Sequence, residues 1–401
     1  MNSSFPLLKL PILVFNTVVS NLNVFELVSL AVCSKRLRFQ CKHFRNTAVL
    51  KKQIEKFHVE FSTVCRIRIK FYPSLTSELA FQVEKLKEER TKCKNIFEDV
   101  YISKVWSPRV NQIAHHEWYP LDEPFVSEYS QSVYYSNCAI PAVSSMVSFL
   151  SDLFSVPPTS LCLNFDLFKK EEIDQIMTLY CDRQTADPIK QFEMRDAKKE
   201  KEETNTELVI SIIARQNATT ELKLMFKPSS DFQFDFNSLC KTPEFLEFEY
   251  SYWINWEQAI NMNSKFILYF LRSNFSNSDF KSLVEKWKSG WTPKWKRIMI
   301  ESCETLDIDS YIIDPIIDIP MTNSACRSFI EQNDTIHAFK FEMKISFAAG
   351  EIIKNGYLIS RPDKSIATVA VERNRIGWFI IQPDEPDAKF VASAHERTFY
   401  L

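Results

Sequence analysis

The stretch Phe5–Arg38, FPLLKLPILVFNTVVSNLNVFELVSLAVCSKRLR, sets the organisation of this 401-residue chain. Pro11 has a fixed φ and no N–H, so it suits the first turn of a helix, where backbone donors go unpaired anyway. From Ile12 onward apolar residues recur at helical spacing, with Leu13, Val14, Thr17, Val18 and Leu22 on or beside one face. Asn21 and Asn23 bracket Leu22 and suit a helix end and a new N-cap. A second helix is expected through Phe25, Leu27, Val28, Leu30, Ala31 and Val32. Ser34 would then cap a third, basic helix, SKRLRFQCKHFR. Three helices within about forty residues bury little area by themselves. Apolar surface left over on such a module is therefore a candidate partner surface.

The same stretch does not read as a membrane span or a signal peptide. Asn16, Ser20, Asn21, Asn23 and Glu26 break the apolar run below the roughly 18 residues a span needs, and a basic leader with a small-residue cleavage site is missing. The chain is 45% hydrophobic and 13% aromatic, enough for a large core behind the module. A net charge of −2 argues against a surface that binds nucleic acid throughout. Ten cysteines occur without any Cys-x-x-Cys spacing, so neither a zinc site nor a disulfide framework is indicated. They read as reduced thiols of the cytosol or nucleus. With only four glycines, no glycine-rich phosphate loop can be built, which excludes Rossmann and P-loop enzymes. No G-x-S-x-G or H-E-x-x-H motif is present either. The expected cofactor and metal content is none, and His115-His116-Glu117 lacks ligands at supporting spacing.

Several motifs of the stretch resemble an F-box: Phe5-Pro6, Leu10-Pro11, Glu26-Leu27 and Cys33-Ser34-Lys35-Arg36. The chain more narrowly resembles a large nematode family that couples an F-box to a type-2 F-box-associated domain. The resemblance implies that Leu10, Pro11, Val14, Val18, Leu22, Leu27, Leu30 and Val32 form or support a contact with the Skp-family linker of an SCF-type cullin–RING ubiquitin ligase. It also implies a substrate-recruiting adaptor rather than an enzyme, with an unidentified target protein on the body and no membrane partner.

Beyond the module the expected fold class is α+β or α/β, in four parts. Residues 1–48 form the helical module, and 49–136 a linker with a first strand and helix. Residues 137–336 form a βα body, and 337–401 antiparallel strands. Residues 35–70 are basic, with Phe39, Phe44, Phe57 and Phe61 interleaved. Cations with stacking rings give nucleic-acid binding as the alternative function. The pattern reads more simply as a solvated helix face leading into a strand, HVEFSTVCRIRIKF. ELAFQVEKLKEERTKCKNIFEDV reads as an exposed helix with i,i+4 charge pairs. Residues 103–136 read as irregular and proline-broken, and Glu193–Glu207 as an exposed insertion.

Strand-like runs at 160–166, 208–214, 221–226, 245–250, 266–271 and 297–301 alternate with helical ones, as βα units on a parallel sheet do. Their spacing lies in the range of leucine-rich repeats, and Phe266-x-x-Tyr269-x-Leu271-x-x-Asn274 fits that pattern loosely. Residues 226–301 carry the resemblance to the F-box-associated domain, through Thr242-Pro243-Glu244-Phe245-Leu246, Met262-Asn263-Ser264, Ser276–Phe280, Trp287 and Gly290. The family's usual Asp-Ile-Arg-Arg near the C-terminal end is here Leu358-Ile359-Ser360-Arg361.

Overall fold

The computed structural model describes residues 10–45 except 23 and 34, then 53–72, 77–85, 94–97, 100–102, 107–112, 126–136 and 138–381. The last range has gaps at 183–187, 197–204, 230, 311, 313–315, 318–337, 342–344, 347–351, 354–355 and 362. The chain forms two compact units, residues 1–192 and 193–401.

The first unit opens with helices α1 (Ile12–Ser20), α2 (Val24–Cys33) and α3 (Lys35–Arg45). Strands β1 (Gln53–Phe61), β2 (Cys65–Tyr72), β3 (Ser77–Lys85), β4 (Lys94–Phe97), β5 (Val100–Ile102), β6 (Ser107–Gln112) and β7 (Val126–Ser136) follow. Helix α4 (Ala139–Phe154), strand β8 (Ser160–Asn164) and helix α5 (Lys170–Tyr180) complete it. The sheet runs β8-β1-β2-β3-β7, with β8 parallel to β1 and β7 parallel to β3. β5 and β6 lie antiparallel to β7, and β4 pairs with β5. The β8–β1 pairing explains why this unit reaches past residue 137, where the sequence alone would begin the βα body.

Three expectations are corrected in this unit. HVEFSTVCRIRIKF is not one strand but a hairpin, β1 and β2, turning at Ser62–Val64, where the Ser62 hydroxyl donates to the Val64 carbonyl at 2.9 Å. The expected helix from Ser77 is strand instead, β3 followed by β4 and β5. Leu79, Phe81 and Val83 alternate and are buried, and β3 is paired along both edges. That gain outweighs i,i+4 ion pairs worth a few tenths of a kcal/mol each. Residues 107–112 and 126–136 are paired strands rather than irregular chain. Pro108 is accommodated because β6 pairs only with β7 among the described residues, so the missing N–H faces no second strand.

Phe57, Phe61, Ile67, Ile69 and Phe71 form the inner face of this sheet. Phe71 meets Phe154 of α4 at 5.8 Å and Phe61 meets Tyr180 of α5 at 5.7 Å. The Tyr180 hydroxyl is buried without a hydrogen-bond partner among the described residues. Leaving such a group dry costs about 1–3 kcal/mol. Tyr180→Phe is therefore expected to raise stability by about 1 kcal/mol, read as a higher urea midpoint with unchanged slope. Burial, with the nearby Glu60 charge adding to it, pushes the Cys65 thiol up to about 11. The native state thus favours the protonated thiol. That stability is full below the ordinary thiol value and is lost as pH rises through about 11. The unfolding free energy should fall between pH 9 and 11 by up to about 3 kcal/mol. Cys65→Ala should remove that part of the slope.

Strand β9 (Gln191–Arg195) spans the boundary between the units, and the second unit then holds α6 (Thr206–Arg215), β10 (Glu221–Met225), β11 (Phe245–Phe248), α7 (Trp256–Ile260), β12 (Ile267–Phe270), α8 (Asn277–Lys288) and β13 (Arg297–Glu301). After these come β14 (Ile316–Ile317), β15 (Ala338–Phe341), β16 (Ile345–Ser346), β17 (Ile352–Ile353), β18 (Gly356–Ser360), β19 (Ile366–Glu372) and β20 (Ile376–Ile381). Strands β10 to β13 are parallel neighbours, as βα units require. β20 then lies antiparallel to β13 and continues through β19, β18 and β15 as an antiparallel set. β14 pairs parallel with β15, and β16 with β17 separately.

FLEF, ILYF and RIMI are buried on both faces, which is why they read as continuous rather than alternating runs. One face packs Phe245, Ile267, Tyr269, Met299, Trp378 and Ile380 together. On the other, Trp287 of α8 meets Phe379 at 5.7 Å. Gly377 is needed there, since a Cβ would fall 2.8 Å from the Phe280 ring.

Two further readings are corrected in this unit. Residues 208–214 are helical, within α6. The Asn205 side chain accepts from the Leu208 N–H at 3.1 Å, and Val209, Ile212 and Ile213 turn inward. Residues 193–195 belong to β9 with Met194 buried, so the exposed insertion does not begin at 193. At its other end Asn205 caps α6 and Thr206 and Glu207 begin it, while residues 197–204 lie outside the described residues. Ser276 caps α8, in a reciprocal pair with Asp279.

Candidate functional site

The N-terminal helices are built from local signals. Pro11 occupies the N-cap of α1 at φ −53° and ψ 144°, and its carbonyl accepts from the Phe15 N–H at 2.9 Å. Asn21 ends the helix. Its backbone N–H donates to the Val18 carbonyl at 3.1 Å, the Leu22 N–H donates to the Val19 carbonyl at 3.2 Å, and the Asn21 side-chain amide donates to the Thr17 carbonyl at 2.7 Å. The expected caps Asn23 and Ser34 lie outside the described residues.

The module has its own interior. Phe15 and Val19 of α1, Leu27, Val28 and Ala31 of α2, and Leu37 and Cys41 of α3 are buried. α3 also rests on α4. The Arg38 guanidinium sits 5.2 Å from the centre of the Phe149 ring, and Lys42 pairs with Asp152. An open cleft of about 550 Å³ between them is lined by Arg38, Ser144, Ser145, Ser148, Phe149 and Asp152. The Lys42–Asp152 pair is exposed on both sides and should contribute under about 1 kcal/mol.

Placed on this frame, the eight residues singled out from the sequence separate by depth. Pro11 and Val14 are exposed, and Leu10, Val18, Leu22, Leu30 and Val32 are half-buried. Leu27 is a core residue at 1% exposure. Two residues outside that set are more exposed than Val14 at 47%: Ile12 at 59% and Leu13 at 76%. The signal for them was in the sequence. Successive helical residues are about 100° apart, so three apolar neighbours in one turn cannot all face inward. On α3, Phe39 is likewise 72% exposed.

The exposed turn of the module offers an apolar contact surface. Among the described residues no group of His, Cys, Asp and Glu could hold a metal ion, and no helix is long and apolar enough to cross a membrane. His115 and His116 lie outside the described residues. Of the four rings interleaved with the basic 35–70 segment, Phe57 and Phe61 are fully buried. They are therefore not free to stack on bases, which weakens the nucleic-acid alternative.

The three-helix module thus combines a closed interior with an exposed apolar first turn. Residues 7–48 match the family model of the F-box domain. The chain thus carries an F-box domain followed by a mixed α/β body with extensive sheet. No curated protein and no solved structure matches it.

Proposed function

We propose that this protein is a substrate receptor of an SCF-type cullin–RING ubiquitin ligase. F-box domains generally bind Skp-family linkers, and their proteins are generally adaptors rather than enzymes. The observation that carries the reading is the exposed Ile12-Leu13-Val14 turn within the F-box domain. In this reading Leu10, Pro11, Val14, Val18, Leu22, Leu30 and Val32 form the linker contact with Ile12 and Leu13 added, and Leu27 supports it from the core.

The body recruits the target. Residues 226–301 serve as a type-2 F-box-associated domain of irregular, leucine-rich-repeat-like βα units. Catalysis is then proximity alone: one surface holds the ligase, another the target, and effective concentration replaces side-chain chemistry. The protein would act in the cytosol or nucleus.

The test is affinity capture of the full chain from cells, read by mass spectrometry, with Leu10→Ala/Pro11→Ala as the comparison. Skp-family and cullin peptides should be lost in the variant while target peptides remain. Equal recovery of linker and cullin from both, or from neither, would overturn the reading.

A further inference from the structure

The two faces of the β1–β2 hairpin differ in chemistry. Successive strand residues point to opposite faces. The inner face carries the rings and aliphatic residues packed on α4 and α5. The outer face carries His58 and Glu60 of β1 and Arg66, Arg68 and Lys70 of β2, with Glu60 opposite Arg66 and His58 opposite Arg68. Glu60 is nearly buried and serves both arginines, with Arg68 Nη2 3.2 Å from Oε2 and Arg66 Nη1 3.6 Å from Oε1.

This leaves cationic donors in excess. A guanidinium carries five N–H donors and a carboxylate about four acceptor sites. Two arginines on one carboxylate therefore cannot both be satisfied by it. Arg68 Nε is buried without a hydrogen-bond partner among the described residues, yet both side chains remain 42% exposed. Lys70 follows at the same pleat, exposed. His58 is held by its Nδ1 contact of 2.9 Å to the Ser160 hydroxyl of β8. Lys56 and Glu78 are the register partners of Lys70, and Glu55 sits in the bulge of β1. The surplus of donors is therefore concentrated at Arg66 and Arg68.

We infer that this outer face is a docking surface for an acidic peptide segment, whose carboxylates take the donors that Glu60 leaves free. Arg66, Arg68 and Lys70 recur every second residue, about 6.6–6.8 Å apart, a spacing that alternate side chains of an extended acidic strand can follow. That this peptide belongs to the ligase target rests on the receptor reading. The binding itself does not, so it is measured separately from linker capture.

The experiment is fluorescence anisotropy of a labelled octaglutamate peptide against the full-length chain at low and moderate salt, with a neutral Gly-Ser octapeptide and a decathymidine strand as comparisons. Octaglutamate should bind, weaken with salt, and outcompete both. Arg66→Gln/Arg68→Gln should weaken it at least tenfold and Lys70→Glu several-fold, with linker capture unchanged in both. Lys70 is exposed, so its variant keeps the test decisive if the double variant unfolds. No octaglutamate binding, equal binding by wild type and Lys70→Glu, or tighter binding of decathymidine would each overturn the inference.

Discussion

Trp287→Ala is expected to lower the stability of the 193–401 unit by about 3–5 kcal/mol. Trp287 is fully buried on α8, with Phe379 of β20 at 5.7 Å and the Arg361 guanidinium 3.8 Å from its ring centre. Arg361 is itself buried and needs that setting. It donates to the Trp291 carbonyl at 3.0 Å, to the Thr292 hydroxyl at 3.3 Å, and to the Asp363 carboxylate through Nε at 3.2 Å. Burial opposes charge on Asp363, but the bonds from Arg361 and Ser365 hold its carboxyl below the usual carboxylate range. Removing the indole leaves a cavity and takes the π-face from a buried cation.

Total stabilities are only about 5–15 kcal/mol, so the variant should lose about a fifth or more of its unfolding free energy. Urea unfolding followed by far-ultraviolet circular dichroism would read this. Trp287→Phe should cost less, because a ring remains under the guanidinium. Arg361→Lys should cost about 2 kcal/mol, since a point charge cannot reproduce the forked contacts. A double-mutant cycle between positions 287 and 361 should give a coupling of about 1 kcal/mol or more.

The second large effect is on binding. Ile12→Asp/Leu13→Asp is expected to weaken capture of a Skp-family linker at least 100-fold while leaving the melting temperature within a few degrees of wild type. Both side chains point largely to solvent in the free chain, so charge there costs the fold little. A carboxylate forced into an apolar interface costs several kcal/mol, and about 1.4 kcal/mol is already tenfold in affinity. Leu27→Asp makes the contrast. It should also abolish capture, but by unfolding the module, because Leu27 is in the core. Calorimetric titration beside a thermal melt separates the two causes.

How much of this was legible from the residues depended on whether the deciding signal was local. Pro11 and Asn21 mark the ends of α1 by chemistry that needs no distant partner, and both hold those places. FLEF, ILYF and RIMIE read as strands because β-branched, aromatic and aliphatic runs between helical segments fit a sheet covered on both sides. Local reading failed where a distant partner decided. Ser77–Lys85 carries good helix formers, but β2 and β7 on its two edges make it a strand. LVISIIA reads as a strand by propensity, yet Asn205 caps it and its 3.6-residue burial period makes it a helix. Nothing within residues 376–381 announces that they pair antiparallel with β13. At the candidate site, apolar type located the module but not depth. Leu27 and Leu13 look alike in sequence, and only packing separates core from surface.

The most direct measurement is hydrogen exchange of the full chain with and without a purified Skp-family linker. Linker binding should slow exchange in α1 and α2, residues 12–33, with the largest change in the first turn beside Pro11. Unchanged exchange there in the presence of saturating linker, or protection confined to other segments, would contradict that expectation.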